Sequence, residues 1–497
     1  MNSFFETVQP KIVFAAGVIA LALAIVAGCG RPAAARPATS TPTRPVTATA
    51  IPTPTPTPTP TPRPPVIGVD SYTTTVTLPT YPFRDFLVEQ LDPLYNMPVY
   101  YFNRPAYEAE PRQPAPVDYT GVVLENKYLR LTFLPQLGGR LYSAVVKPTG
   151  QEIFYHNPVV KPSRYGVLQP YEANWWLASG GMEWAYPVQE HGYRFGLPWD
   201  YRVTQSATGA AIILADSAPH RTGLTVTVSL PVDSASFSVT PRLTNNAAIT
   251  VPVQVWTNAA LALSSGSMSP DTQFVVPTGV ITIHSRGELG WSLPDAGRRA
   301  AWPLVGQTDL RDYRQWANYL GFFVANTDAP FMGAFNAATK LGVVRLPESG
   351  RAGKLFAFSA GFPDRSYTDD DSQYFELWGG ANNGFWPEDD LPVAPGQSLG
   401  WTELWWPLAG LPGLTWATEH VAIALEQNES TATLAALVAR PVTGQVRVTA
   451  AGALILNERF SANPARPLSW PLAAGAGPLT IEFTDANGGV LLTYQTN

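Results

Sequence analysis

A single cysteine in 497 residues excludes any disulfide within the chain, so a folded domain here must be stable through packing, which a chain of this size can supply. Histidine is also scarce: His156, His191, His220, His284 and His420 are the whole set. The chain has no zinc-type Cys/His spacing, no Walker loop and no nucleophile elbow. Charged residues make up 14%, and a net charge of -6 leaves no basic footprint for nucleic acid. A long amphipathic helical pattern is missing as well. What abounds is apolar and aromatic: 45% of residues are hydrophobic, with 15 Trp, 20 Tyr and 22 Phe, which implies an extensive core.

Lys11 precedes an apolar run from Ile12 to Gly28 that ends at the cysteine. The run is too short and too early for a comfortable spanning helix and reads as a signal peptide. Its end, Ile25-Val26-Ala27-Gly28-Cys29, resembles a bacterial lipobox. That resemblance implies cleavage before Cys29, a lipid on its thiol, and an exported protein anchored to the outer face of the cell membrane; an ordinary cleaved signal is the alternative. From Arg31 to Pro65 there is no acidic residue, and Thr and Pro alternate between Ile51 and Pro62. Such a segment cannot bury a core; as polyproline II at about 3.1 Å per residue it spans on the order of 100 Å. Residues 1–28 are therefore expected to be a leader and 29–67 a disordered tether.

The body reads as all-β. Tyr128–Leu134, Leu224–Leu230 and Val275–Ile283 alternate or are β-branched and are bounded by turn residues, a pattern that argues for a sandwich or barrel. Near Pro407–Pro412 the Trp-rich composition gives way to Ala, Val and Thr strands. The expected division is a large β domain over 68–410 and a separate immunoglobulin-like β-sandwich over 411–497.

Several segments of the body resemble one family: Glu125-Asn126-Lys127-Tyr128, Gly138-Gly139-Arg140, Ser179-Gly180-Gly181-Met182-Glu183-Trp184, Trp256-Thr257-Asn258 and Tyr374-Phe375-Glu376-Leu377-Trp378-Gly379-Gly380, ending at Pro395-Gly396 and Trp401-Thr402-Glu403. Together they are similar to the domain-of-unknown-function family numbered 5107, placed in the galactose mutarotase-like superfamily. The resemblance implies an antiparallel supersandwich that binds sugars. In that superfamily a late-strand glutamate acts as base, and Glu376 matches it by order and context. A histidine following an asparagine usually supplies the acid, yet Ala259 follows Asn258 here. This departure leaves His191 as the candidate acid and puts ordinary epimerase activity in doubt.

The residues support a sugar cleft independently of the family. Aromatic faces pack on the C–H faces of sugar rings while carboxylates, amides and guanidinium groups meet the hydroxyls. One stretch mixes Trp175, Trp176, Glu183, Trp184, His191, Tyr193, Arg194 and Trp199; a second runs from Tyr374 through Glu376, Trp378, Asn382, Asn383 and Trp386 to Glu388. The candidate site is thus Glu376 and His191 for proton transfer, with Arg140, Glu183, Trp184, Arg194, Asn258 and Trp378 contacting carbohydrate. Glycan cleavage by Glu183 and Glu376, and a non-catalytic structural or adhesive envelope protein, stay open beside it. No cofactor is expected, except that the acidic runs Asp369–Asp371 and Glu388–Asp390 offer oxygens to calcium; neither matches an EF-hand loop.

Overall fold

In the strand Gly209–Asp216, buried Ala210, Ile212, Leu214 and Asp216 alternate with half-exposed residues, the pattern of a strand with one face on a core and one towards water. The strands Trp175–Ala185, Leu320–Val324 and Phe375–Gly380 are buried at every position, which marks them as covered on both faces. These two kinds of strand define the architecture. It is seen in a computed structural model that describes residues 68–496 except 165–172, 289, 325–328, 350, 360–366, 428–430 and 473–477. The apolar leader, Cys29 and the Thr/Pro segment lie outside the described residues.

The described chain is almost entirely β, with one short α-helix, Arg104–Glu108, among the described residues. A 13-stranded sheet stacks against a 9-stranded one, and the main apolar core, including Leu141, Trp184, Val226, Phe237, Ala259 and Trp405, fills the space between them. Fully burying each large apolar side chain there contributes about 1.5–3 kcal/mol. Pairing is antiparallel apart from the single parallel register of Thr80 with Val160. The strand Trp175–Ala185 meets His156–Arg164 on one side, and Met182 also pairs with Leu141 of Arg140–Val146. That extra pairing brings Arg140, distant in strand order, beside the middle of the sheet.

Beyond Leu411 the chain forms two four-stranded sheets, the expected small sandwich. It is not a free-standing module. In the strands Val421–Gln427 and Ala432–Val438, Ala422, Ala424, Ala435 and Leu437 join the large core, while Val421, Ile423, Leu434, Ala436 and Val438 join the small one. This sheet is therefore a shared layer, buried on both faces. Ala235 N donates to Ala439 O at 2.9 Å, and Phe331 meets Trp416 edge-on at 5.6 Å. The described residues all fall in one compact unit.

Candidate functional site

Register across the 13-stranded sheet builds the site. On Trp256–Leu261, Asn258 lies opposite Glu183 of one neighbouring strand and Trp378 of the other, and Trp378 lies opposite Lys354. Residues in one such row project from the same face of a pleated sheet. Glu376, two positions before Trp378, shares that face. Trp184, Thr257 and Ala259 fall on the other, turned into the core between the sheets. The indole of Trp184 donates to Gly139 O at 3.0 Å, so it does not line the cleft as its sequence neighbourhood suggested. The same alternation bears on the missing histidine: position 259 faces the core, and position 258 is the one beside the carboxylates.

Gly180 and Gly181, with φ of +81° and +73°, bend the Glu183 strand. A Cβ on Gly180 would stand 2.0 Å from Tyr155 O, and one on Gly181 2.6 Å from Leu141 O; only glycine permits this close approach. The bend presents Gly180 O to Arg140 Nη1 at 2.8 Å, while Arg140 Nη2 donates to Glu183 Oε2 at 2.8 Å. Glu183 Oε1 is met by His191 Nδ1 and by Asn258 Nδ2 at 3.2 Å. The same Asn258 nitrogen lies 3.5 Å from Glu376 Oε1, and Trp378 Nε1 donates to Glu376 Oε2 at 2.9 Å.

These groups enclose a cavity of about 10 Å³ whose lining includes Arg140, Ser179, Glu183, Asn258 and Glu376, with the aromatic rings of Tyr155, Trp176 and Tyr374. Arg140, Ser179 and Asn258 are at most 3% exposed. Yet Arg140 Nε, Ser179 Oγ and Asn258 Oδ1 have no hydrogen-bond partner among the described residues. A buried polar atom left unpaired costs about 1–3 kcal/mol. One donor, one acceptor and one hydroxyl are in this condition on residues that line one cavity.

The two carboxyls are shifted in opposite directions. Burial pushes Glu183 up, but His191 and Arg140 outweigh it and hold the carboxyl at about 2. At Glu376 burial prevails over Lys354 and His191, so its carboxyl sits above the ordinary range. A permanently charged anchor beside a carboxyl able to exchange its proton suits acid–base chemistry. Lys354, 2% exposed, sets part of this balance. Its Nζ lies 4.3 Å from the ring centres of Trp378 and Phe385 and 3.7 Å from Glu190.

The structure brings Arg140, Glu183, Asn258 and Glu376 together at the cavity. His191 sits one ring behind it, stacked on Trp176 at 4.3 Å with 4° between the planes. Trp378 buttresses Glu376. Arg194 is elsewhere, paired with Asp216 at 2.7 Å and reaching Pro98 O. Ser179, Tyr155 and Lys354 were not singled out from sequence. A lysine amid the apolar strand Ala352–Ala357 was a signal, since a buried ammonium calls for a carboxylate or an aromatic face. The acidic runs serve loops: Asp369 binds Lys161 and Tyr81, Asp370 binds Ser372, and Asp390 accepts from Gln254. Among the described residues no group of three His, Cys, Asp or Glu is placed to hold a metal ion.

Solved structures share parts of this architecture. A TPR-domain containing protein from Parabacteroides distasonis ATCC 8503 is 22% identical with a TM-score of 0.55, the match covering 68% of this chain and 55% of that one; the chain thus spans about half of that relative's length. A galactose mutarotase-like protein from Clostridium acetobutylicum is 11% identical with a TM-score of 0.40, covering 59% of this chain and 96% of the other. A galactose mutarotase related enzyme from Lactobacillus acidophilus is 12% identical with a TM-score of 0.39, covering 58% and 97%. Residues 416–494 match the model of the second domain of YphG-like proteins. Residues 95–408, more than half of the chain and every strand that builds the cavity, match the model of a domain of unknown function, DUF5107, and the chain belongs to that family.

Proposed function

We propose that this protein binds a carbohydrate ring in the Arg140–Glu183–Asn258–Glu376 cavity, as an exported lipoprotein held to the outer face of a membrane through Cys29. The observation that carries the reading is the set of unpaired buried atoms, Arg140 Nε, Ser179 Oγ and Asn258 Oδ1. They line one cavity with Trp176, Tyr155 and Tyr374. Ring hydroxyls satisfy such atoms, and the aromatic faces take the C–H surface. The free space of about 10 Å³ accommodates about one water, so sugar binding requires side chains that line the cavity to move. The sequence around Cys29 supports the anchor.

Proton exchange at the sugar is a second reading, favoured by the raised carboxyl of Glu376. It takes or returns a proton at the anomeric hydroxyl, while Glu183 stays charged and orients His191 and Asn258. Glycan cleavage fits less well. The amide of Asn258 lies between the two carboxyls, and Glu183 is committed to Arg140 and His191.

A glycan-array screen of the full chain beside Asn258→Ala and Ser179→Ala tests the binding reading, with thermal melts confirming that the variants fold. We expect binding to at least one sugar, weakened tenfold or more in Asn258→Ala. A folded wild-type protein that binds no glycan sinks the reading.

A further inference from the structure

The cavity that carries the polar recognition has free space for about one water, whereas a groove of about 550 Å³ lies on the adjoining surface, lined by Tyr81, Phe83, Arg84, Gln113, Asp118 and Tyr119, among others. Ligand sites commonly measure roughly 300–1,000 Å³; the groove falls in that range and the cavity does not. The two are neighbours. Tyr81, on the groove, donates its hydroxyl to Asp369 at 2.8 Å, and the residue before Asp369, Thr368, lines the cavity. Lys161 spans the same junction, with its Nζ 5.8 Å from the Tyr81 ring centre, 2.9 Å from Asp369 and 3.2 Å from Thr368 O.

The groove also has the mixed chemistry that sugars require. Tyr119, 4% exposed, forms part of the floor, with its hydroxyl 3.0 Å from Thr80 Oγ1. Arg84 lies over the Phe83 ring at 5.2 Å and donates to Gln136 O at 3.0 Å. Around these rings Arg84, Gln113 and Asp118 are exposed, supplying donors and acceptors to a row of hydroxyls.

We infer that the ligand is an oligosaccharide, one terminal ring seated in the Arg140–Asn258 cavity and the following units lying along the Tyr81–Tyr119 groove. This rests on the carbohydrate reading of the cavity and deepens it from a sugar to a chain of sugars. The cavity recognises the terminal ring through buried polar atoms, and the groove adds affinity through the partly exposed Tyr81 ring and the exposed Arg84, Gln113 and Asp118.

The test is calorimetric titration of the full chain with cello-, malto-, galacto- and xylo-oligosaccharides of one to five units. It is repeated on Tyr81→Ala and Arg84→Ala, with Asn258→Ala as the cavity variant. In one series, affinity rises tenfold or more between the monomer and the tetramer. Tyr81→Ala or Arg84→Ala reduces that oligomer-to-monomer ratio severalfold, and Asn258→Ala weakens every length. Binding that does not depend on length, or a ratio unchanged in both groove variants, overturns the oligosaccharide inference and leaves the cavity reading standing. Binding to none of the sugars overturns both. Arg84 is exposed and its replacement does not disturb the core, so a misfolded Tyr81→Ala does not blunt the experiment.

Discussion

Glu183 is the residue on which the site's charge balance turns. Its carboxyl is held at about 2 in the folded protein against an ordinary 4.5, so the folded state binds its proton more weakly than the unfolded chain does. The resulting stability is fully present above about pH 4.5 and is lost as the pH falls towards 2, to the extent of about 3 kcal/mol. Glu376 acts in the opposite sense: its raised carboxyl favours folding at low pH and loses that contribution as the pH rises. Urea denaturation of wild type and Glu183→Gln between pH 2.5 and 7 should show a steep acid loss in the wild type and a shallower one in the variant. Equal slopes would mean that the Arg140–His191 clamp does not hold the carboxylate.

Much of this residue-scale picture was legible in the sequence. Arg140, Glu183, Asn258 and Glu376 stood in motifs that together resembled one family. The errors share a physical cause: Glu183 and Trp184 are adjacent in the chain but lie on opposite faces of one strand, and sequence proximity does not reveal which way a pleat turns. Arg194 belonged to the same aromatic stretch, yet the loop that carries it turns the guanidinium towards Asp216. Ser179 could not be singled out because a serine acquires meaning only when burial leaves its hydroxyl without a partner.

At the scale of the element, the strand Trp175–Ala185 carries the most demanding constraint. Its glycine bend brings Gly180 O to Arg140, and the place a Cβ would occupy is filled by Tyr155 O. Gly180→Ala must either move the neighbouring strand or lose the bend. We expect a loss of about 2–4 kcal/mol in chemical denaturation, with glycan binding abolished in whatever fraction remains folded. An alanine variant of wild-type stability would show that the bend is not required. The strand was not read from the sequence, and its bend was visible there only as two consecutive glycines. The apolar run Leu434–Val438 is explained by its place in a shared layer rather than in a one-sided strand of a separate sandwich.

For the whole molecule, that shared layer makes the C-terminal sandwich part of the large domain's folding unit. Removing residues 411–497 strips Ala422, Ala424, Ala435 and Leu437 from the large core and uncovers an apolar surface prone to association. The truncated protein should elute as aggregate in size-exclusion chromatography, and Ala435→Asp in the full chain should lower the melting temperature of a single transition. Two separate transitions in the wild type would contradict this coupling. The change in composition near Pro412 lies just before the two four-stranded sheets, but composition carries no information about how much surface two cores share.

The cavity's floor and walls are built from different materials, and this has an evolutionary consequence. The floor is main chain and interlocked charge: Gly180 O, Arg140, Glu183 and Asn258 constrain one another so tightly that exchanging any one leaves the others unpaired. The walls, Trp176, Tyr155 and Tyr374, contribute rings whose replacement by other rings leaves that frame intact. On the carbohydrate reading proposed above, descendants of this chain would diversify in which sugar they accept by drifting at the walls, while the floor stays frozen; preference would be inherited loosely and the capacity to bind strictly.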